Sequence, residues 1–457
     1  MRARALLWLP AVALGQIGSL PAFPPAGVRW ISLREFLEGV RRNALTIQQA
    51  MAALPPARWE LYQAQANFLP SLTANASATQ NYGTTFDPFA FQRVQQTTTF
   101  SSASLAANWV LFAGFANHYL VRQAQAGLAA TRAAQRRAEA EVLTQALLQF
   151  QQALSDSITL ELAQWRLRRL EDQLNRQSAR LAVGQALSTD SLTLAAQLLR
   201  EKAQYLALYN RHRENKLLLL QLMGAEATPV DSVEFTLGLP PVDLGPLSEA
   251  EAITLALQQA PEIEEARWRL LQQTYARKAV RAEFFPTLNL SASLQTNYSS
   301  NAGLFRITPT GVVREPLSFE RQLRENFNQS IFVSLSIPIF QQFRRRLRLA
   351  RAESGVETAE IQLRLQTQQV VRRTQQAYLV WRNAVVQEAA LQISSQTAEK
   401  ALAQAEAQYQ AGLISYWSYR EALSTAAQAR LELEQARLER QIRTLLLGAY
   451  LGKYREL

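Results

Sequence analysis

An internal duplication constrains this 457-residue chain more than any other feature of its sequence. The stretch FLPSL at Phe68–Leu72 recurs as FFPTL at Phe284–Leu288, 216 positions further along. After the segments that follow, the offset becomes 228, and it still holds where Gly224 matches Gly452. The change of 12 positions places a net insertion within the second copy, and a loop tip tolerates such an insertion best. The constant offsets indicate that segment length itself is under geometric constraint.

Each copy contains two segments in which apolar residues alternate with Ser, Asn, Gln or Thr. These segments lie near 71–83 and 101–112 in the first copy and near 287–299 and 329–340 in the second. Alternation of this kind predicts strands with different environments on their two faces, and about ten residues suffice for a tilted strand to cross a bilayer. The alternative is a pair of soluble hairpins packed on a core.

Four membrane strands cannot close a barrel, because the smallest membrane barrels have about eight. An open edge in lipid would leave backbone hydrogen-bonding groups unsatisfied. If these strands cross a membrane, the sequence therefore predicts a homo-oligomer that pools strands in multiples of four.

The strands of each copy are followed by long segments with helical periodicity, predicted as helices over 113–183 and 188–222, and over 341–411 and 416–450. The first helix of each pair holds about 70 residues, or ~105 Å at ~1.5 Å per residue. Apolar steps of three and four sustained over this length predict coiled-coil packing. Gly184 and Gly412 fit the left-handed position that ends such a helix. Ser188 or Thr189 fits the cap of the next helix in the first copy, and Ser415 or Ser418 fits it in the second.

The beginning of the chain is typical of an export signal. Arg2 and Arg4 precede an apolar run at Ala5–Leu14 that is too short to span a bilayer as a helix. We assign residues 1–22 to a signal peptide, 23–247 to the first repeat with a linker at 223–247, and 248–457 to the second repeat.

Composition excludes several classes of function. The sequence contains no cysteine, so we expect no thiolate metal site and no lipid anchor on cysteine. The two histidines are far apart, and no nucleophile–base grouping or phosphate-binding glycine loop emerges, so we predict neither an enzyme nor a bound metal or cofactor. The net charge of +11 alone favours nucleic-acid binding, but that reading conflicts with the export signal.

Together, these motifs resemble the TolC family of outer-membrane efflux proteins over essentially all of the mature length. The resemblance rests on the duplicated F-L/F-P start of a strand, on the entries WVLFAG and IPIF into the long helices, and on the glycine turns. It implies a mainly α fold with a membrane β-barrel. Four strands per chain would contribute to a trimeric 12-strand barrel, and the duplicated helical hairpins would form a periplasmic α-barrel.

The resemblance also implies a function and partners. The protein would be a passive outer-membrane exit duct for efflux or type I secretion, served by a periplasmic adaptor and an inner-membrane pump of RND or ABC type. Turn residues that would contact the adaptor carry over to Gly184, Leu187, Ser188, Asp190, Gly412, Ser415, Tyr416 and Ser418. The second turn departs from the family pattern, because Ser418 stands where the first turn has the acidic Asp190. The alternative function is an exported coiled-coil scaffold without channel activity.

One basic cluster stands out at the start of the second long helix. It comprises Arg344, Arg345, Arg346, Arg348 and Arg351, where the first copy has Ala116, Asn117, His118, Leu120 and Gln123. Positive charge in the first turns of a helix opposes the macrodipole, so a local stabilising role does not account for it. Contact with outer-membrane lipid phosphates, a place along the lumen, and a merely solvated face all remain open at this stage.

Overall fold

The computed structural model describes residues 21, 23–25, 27–87, 91–95, 97–183, 188–238, 245–308 and 311–452. The predicted signal peptide lies outside the described residues except for Pro21. Two compact units make up the chain. One unit comprises the described residues within 1–52, 133–264 and 365–457, and the other comprises those within 53–132 and 265–364.

The first repeat contains short helices, a set of strands and one long helical pair. Its elements are β1 (Arg29–Ser32), α1 (Leu33–Asn43), α2 (Leu45–Ala52), α3 (Leu54–Ala66), β2 (Ser71–Asn81), β3 (Thr84–Asp87), β4 (Gln92–Gln95), β5 (Thr98–Ala113), α4 (Ala116–Ala182) and α5 (Ser188–Leu222). A turn of 3-10 helix at Val230–Ser232 and strand β6 (Val233–Thr236) follow.

The second repeat keeps the order of the long elements, in which long strands precede two long helices. Its elements are α6 (Glu249–Gln259), α7 (Pro261–Ala282), β7 (Thr287–Ser299), β8 (Gly303–Thr308), β9 (Gly311–Pro316), α8 (Phe319–Glu325), β10 (Asn328–Ser336), α9 (Arg344–Gln410) and α10 (Tyr416–Tyr450). Helices α4 and α9 each contain 67 residues, and α5 and α10 each contain 35. The predicted fold class, mainly helical with duplicated long hairpins and four long strands, is confirmed.

The short helices begin at equivalent caps in the two repeats. The hydroxyl of Ser32 accepts a hydrogen bond from the backbone N–H of Glu35, and that of Ser248 accepts one from Glu251. The Glu251 carboxylate in turn accepts from the backbone N–H of Ser248, which completes a capping box. None of the helices in the described residues combines the length and the hydropathy needed to cross a membrane.

Aromatic packing joins distant elements of the first repeat within the first unit. Strand β1 pairs in parallel with β6, which follows the long helices of the first repeat. The rings of Phe36, Phe150 and Phe235 pack together with centroid separations of 5.2, 5.7 and 6.0 Å. The side chains of Leu33, Val40 and other apolar residues are buried around them. The hydrophobic effect therefore concentrates where the short elements meet the long helices.

A buried polar cluster borders this core. The Glu234 carboxylate accepts a hydrogen bond from Lys216 Nζ at 2.7 Å and lies 3.1 Å from His212 Nε2. All three residues are at most 2% exposed. Burial alone raises the pKa of Glu234, but the hydrogen bonds from His212 and Lys216 outweigh it and hold the pKa below its usual value. The ring of Phe23 packs edge-on against His212, which ties the beginning of the described chain to this cluster.

We predict that Glu234→Gln lowers the free energy of unfolding by about 3 kcal/mol at neutral pH, because it leaves the Lys216 ammonium buried without a counter-charge. A carboxylate whose pKa is lowered by folding stabilises the fold fully at pH values above its pKa in the unfolded chain, about 4.3. This stabilisation is lost as the pH falls through the pKa in the folded protein. The deficit of the variant should therefore shrink below about pH 4. Urea unfolding followed by circular dichroism at pH 7 and pH 3.5 measures both effects.

The double variant Lys216→Met/Glu234→Gln is the matched control. It removes both charges, so it should unfold at a higher urea concentration than Glu234→Gln alone. Equal destabilisation by the single and double variants would show that the ion pair does not contribute as described.

Candidate functional site

Four long strands form one antiparallel sheet in the second unit. Their order is β10–β7–β5–β2, so the hairpin of each repeat joins the other through β5 and β7. Strand β2 forms one edge and β10 the other, and within the described residues neither has a partner strand on its outer side. The sheet is therefore open at two edges.

Side chains divide by chemistry between the two faces of this sheet. Residues in register across the strands share a face, and one such row reads Leu72, Ala107, Ala292 and Ile331. The adjacent row, on the opposite face, reads Ser71, Asn108, Ser291 and Phe332. Further rows repeat this division, so one face is apolar and the other is mainly Ser, Thr, Asn and Gln.

Hydrogen bonds between neighbouring strands link the side chains of the polar face. The Ser77 and Ser102 hydroxyl oxygens lie 2.8 Å apart, and the Ser291 hydroxyl donates to Asn108 Oδ1 at 2.9 Å. Phe332 interrupts this pattern, because its large ring lies on the polar face and is 64% exposed. Strand alternation alone would have placed it there, although the sequence reasoning did not single it out.

A side chain replaces a missing strand at the far end of β7. Strand β10 pairs with β7 only as far as Gln295. Beyond that point the Gln322 amide of α8 accepts from the backbone N–H of Ser299 at 2.9 Å and donates to its carbonyl at 3.0 Å. Gln322 is 1% exposed, so these bonds are shielded from water. No sequence signal pointed to this contact.

The turns that connect the strands to the long helices are alike in the two repeats. Gly114 and Phe115 have φ of +59° and +67°, and Gln342 and Phe343 at the equivalent positions have +50° and +60°. The Phe112–Phe115 and Phe340–Phe343 rings pack edge-on, with centroids 5.5 and 5.7 Å apart. Two consecutive residues in the left-handed conformation thus precede each long helix.

The five arginines of the predicted basic cluster lie together in the first two turns of α9. All are exposed except Arg345, which is half-buried. Arg348 Nη2 lies 2.8 Å from the Glu283 carboxylate. The Arg344 guanidinium donates to Gln342 Oε1 at 3.1 Å. The structure therefore brings these residues to one place beside the sheet.

The predicted helical turns are described in part. Gly184 and Leu187 lie outside the described residues, whereas Ser188 begins α5 and Asp190 lies in its first turn. In the second turn Gly412 has a φ of +75°, and Tyr416 begins α10. The hydroxyl of Ser415 caps α10 by accepting from the backbone N–H of Ser418 at 3.3 Å.

Exposed apolar side chains surround the second turn. Leu413 is 75% exposed and Trp417 is 66% exposed. The guanidinium of Arg420 lies 4.4 Å from the centroid of the Trp417 ring, and the rings of Tyr409 and Tyr419 are stacked. A turn of this composition offers both apolar and cationic contacts at the end of a helical hairpin.

Part of this chain is similar in sequence to known outer membrane proteins. Residues 252–453 match the family model described as outer membrane efflux protein. The chain is 26% identical over 210 residues to outer membrane protein OprJ of Pseudomonas aeruginosa, an alignment that spans 46% of this chain and 40% of OprJ. The segment that the family model matches is the second repeat, and the first repeat duplicates its long strands and long helices.

Solved structures match nearly the whole chain. The outer membrane protein VceC of Vibrio cholerae has a TM-score of 0.73 at 19% identity, covering 92% of this chain and 96% of VceC. The open state of the Neisseria gonorrhoeae outer membrane channel MtrE has a TM-score of 0.71 at 18% identity, covering 92% and 88%. The second repeat thus matches the outer membrane efflux protein family, and the chain has the fold of these solved outer membrane proteins. The predicted family resemblance is therefore confirmed, whereas the roles assigned to individual turn residues and arginines stay predictions.

In this efflux-family fold, the glycine at the strand-to-helix turn is required in the first repeat only. A methyl group at Gly114 would lie 2.5 Å from the carbonyl oxygen of Ala282, in addition to the cost of a positive φ. We predict that Gly114→Ala lowers the free energy of unfolding by at least about 2 kcal/mol. The matched variant Gln342→Gly should change it by less than about 1 kcal/mol, because relief of the left-handed strain offsets the added freedom of the unfolded chain. Thermal unfolding of both variants in detergent measures the difference, and equal effects would contradict it.

Proposed function

We propose that this protein is an outer-membrane channel that passively conducts substrates to the exterior in a tripartite efflux or type I secretion system. The observation that carries the proposal is the four-stranded sheet with one apolar face, one polar face and two open edges. Such a sheet suits a barrel wall with lipid on one side and water on the other. A conduit needs no reacting groups, so we infer a transport protein rather than an enzyme.

Closure of the barrel requires further copies of the chain. Strands β2 and β10 would each present unpaired backbone groups to lipid, which costs several kcal/mol per group. Pairing β10 of one copy with β2 of the next satisfies these groups. Three copies, the number that the resemblance to the TolC family implies, supply twelve strands.

The helices of the second unit support self-assembly independently. Helix α7 lies between two long helices, because it approaches α4 at Gly127 and α9 at Gly355. A methyl group at Gly127 would lie 2.9 Å from Gln272 Nε2, and one at Gly355 would lie 3.3 Å from Gln273 Oε1. Helix α7 thus contacts the long helix of its own repeat and that of the other repeat.

Helix α3 is the counterpart of α7 in the first repeat, but it is packed on one side only. Its stripe with Ala57 and Ala64 is buried. Gln272 of α7 corresponds to Pro56 of α3. The side of α3 that carries Pro56 is exposed, and it comprises Pro56, Trp59, Glu60 and Gln63. Trp59 is 70% exposed. Because the counterpart stripe of α7 packs against a long helix, we infer that the exposed stripe around Trp59 is a surface for another helix.

Helix α9 has the complementary gap. Ala126 and Ala130, next to Gly127 on α4, are 2% and 4% exposed, whereas their counterparts on α9, Ser354 and Thr358, are exposed. We infer that α3 of one copy packs on this side of α9 in the next copy, as α7 packs on α4 within the chain. A contact between two different surfaces forms a ring when its rotation closes, and the joining of β10 to β2 in a barrel requires such closure.

We predict that Trp59→Ala weakens assembly by about 2 kcal/mol for each interface, because a buried aromatic anchor is lost. Tyr62→Ala is the matched control, since its second-repeat counterpart, Lys278, is exposed even though α7 has both neighbours. Native mass spectrometry of the detergent-solubilised protein gives the distribution of copies. The interface is excluded if Trp59→Ala assembles as well as Tyr62→Ala.

The helical turns are the proposed docking site of a periplasmic adaptor, which would link the channel to an inner-membrane pump. The described parts that support this are the capped turn at Ser415 and the exposed side chains of Leu413 and Trp417 beside it. The first turn contributes Asp190 at the position of Ser418, so the two turns of one chain present different chemistry to the adaptor. The substrate is set by the pump with which the channel assembles.

Two adjacent residues of β10 test the proposed channel. Ile331 and Phe332 lie on opposite faces of the sheet. We predict that Ile331→Asp prevents assembly in the outer membrane, because an ionised side chain at the centre of a bilayer costs about 2 kcal/mol or more. Phe332→Asp should assemble and change the conductance of planar bilayers, because it replaces a lumenal aromatic ring with a charge.

Membrane fractionation and single-channel recording measure these outcomes on the full chain. A wild-type protein that is water-soluble and does not conduct would instead support the exported scaffold. If Ile331→Asp assembled in the outer membrane and Phe332→Asp did not, the lipid and lumenal faces of the sheet would have to be exchanged.

A further inference from the structure

The beginning of α9 concentrates positive charge where the fold does not explain it. Arg344, Arg345 and Arg346 are its first three residues, and its first turn contains no acidic residue. The partial positive charge of a helix N-terminus opposes these guanidinium groups. Of the five arginines, Arg348 forms an ion pair, with Glu283. Because the first repeat folds into the same turn and helix without any of them, the arginines serve something outside this element.

Exposed apolar side chains are interleaved with the arginines. Phe340 and Phe343 are 70% and 67% exposed, and Ile339 and Leu347 are exposed as well. Water-filled channel walls carry polar residues, whereas aromatic residues beside basic ones are typical of the boundary between hydrocarbon and headgroups. The mixture of side chains therefore favours a membrane surface over the channel lumen.

The position along the chain fits that boundary. The apolar face of β10 carries Ile331, Val333 and Leu335, and the strand ends at Ser336. Eight residues later α9 begins, after the turn that holds the Phe340–Phe343 ring pair. Going from the strand into the helix, the chain passes from aliphatic to aromatic to cationic side chains. This order matches the depth profile of a leaflet, from acyl chains to glycerol to phosphate.

We propose that the basic collar, defined as Arg344, Arg345, Arg346, Arg348 and Arg351, binds the phosphate groups of anionic phospholipids in the leaflet that faces the periplasm. This inference rests on the proposed function, which places the sheet in the outer membrane. Guanidinium groups pair with phosphate oxygens in a bidentate manner. The exposed rings of Phe340 and Phe343 would lie against the glycerol and upper acyl region of the same lipid.

The test compares phosphatidylglycerol with phosphatidylcholine on the purified full-length protein. Native mass spectrometry counts the lipids retained on the assembled protein, and thermal unfolding in detergent measures the stabilisation by each added lipid. The wild type should retain phosphatidylglycerol in preference to phosphatidylcholine. Each arginine near an anionic surface contributes about fivefold in affinity, so loss of three should reduce the preference at least about tenfold.

The collar variant Arg344→Ala/Arg346→His/Arg348→Leu introduces the residues that the first repeat has at these positions, which the same turn and helix already accommodate. Its matched control is Arg364→Gln/Arg372→Gln/Arg382→Gln, which removes three exposed arginines further along the same helix. The control should keep the wild-type preference for phosphatidylglycerol.

Three outcomes would overturn the proposal. The first is equal retention of both lipids by the wild type, and the second is equal lipid preference of the collar and control variants. The third is stabilisation by inorganic phosphate as large as that by phosphatidylglycerol. A changed ion selectivity of the collar variant in phosphatidylcholine bilayers, with unchanged lipid retention, would place the arginines in the lumen instead. Conductance of the wild type in the same bilayers tests the proposed channel separately, so failure of one proposal is distinguishable from failure of the other.

Discussion

Backbone hydrogen bonding at the edges of a four-stranded sheet governs the rest of this structure. Each repeat contributes one long hairpin, and the two hairpins join through β5 and β7, which leaves β2 and β10 at the edges. Where β7 extends beyond β10, the side chain of Gln322 satisfies the backbone of Ser299. A single amide can substitute for a partner over one residue, but an entire edge strand in lipid requires another strand. The backbone groups of β2 and β10 therefore need partner strands that this chain does not supply within the described residues.

The lengths of the long helices are also constrained by assembly. Helices α4 and α9 have 67 residues each, and α5 and α10 have 35 each, although little sequence identity remains between the repeats. Helices that pack side by side around a ring must end at the same level, because a shorter helix would leave its neighbour's apolar stripe exposed. Insertions are consequently confined to the connection between strands, where β8, β9 and α8 of the second repeat lie.

Regular periodicity made the long elements predictable from sequence, and contacts between distant residues made the rest unpredictable. Alternation located β2 and β7, and helical periodicity located α4 and α9, because each signal is local and repeated many times. Gln322 acts through its amide on a strand more than 20 residues away, and its environment leaves no local pattern. Glu234 likewise lies on a short strand, and its burial against His212 and Lys216 follows from tertiary packing.

Comparison of the two repeats distinguishes the backbone conformations that they share from the side chains in which they differ. Gly114 and Gln342 occupy the same left-handed position, and the same edge-on pair of phenylalanines accompanies each, so the turn itself is common to both repeats. The residues that follow differ completely, with Ala116 in one repeat and Arg344 in the other. The distal turns differ in the same way, with Asp190 opposite Ser418. In a ring of three chains, six geometrically similar positions would thus alternate between two chemistries. A lipid or an adaptor that binds through side-chain chemistry would find three sites of each chemistry. One that binds only through backbone shape would find six equivalent sites.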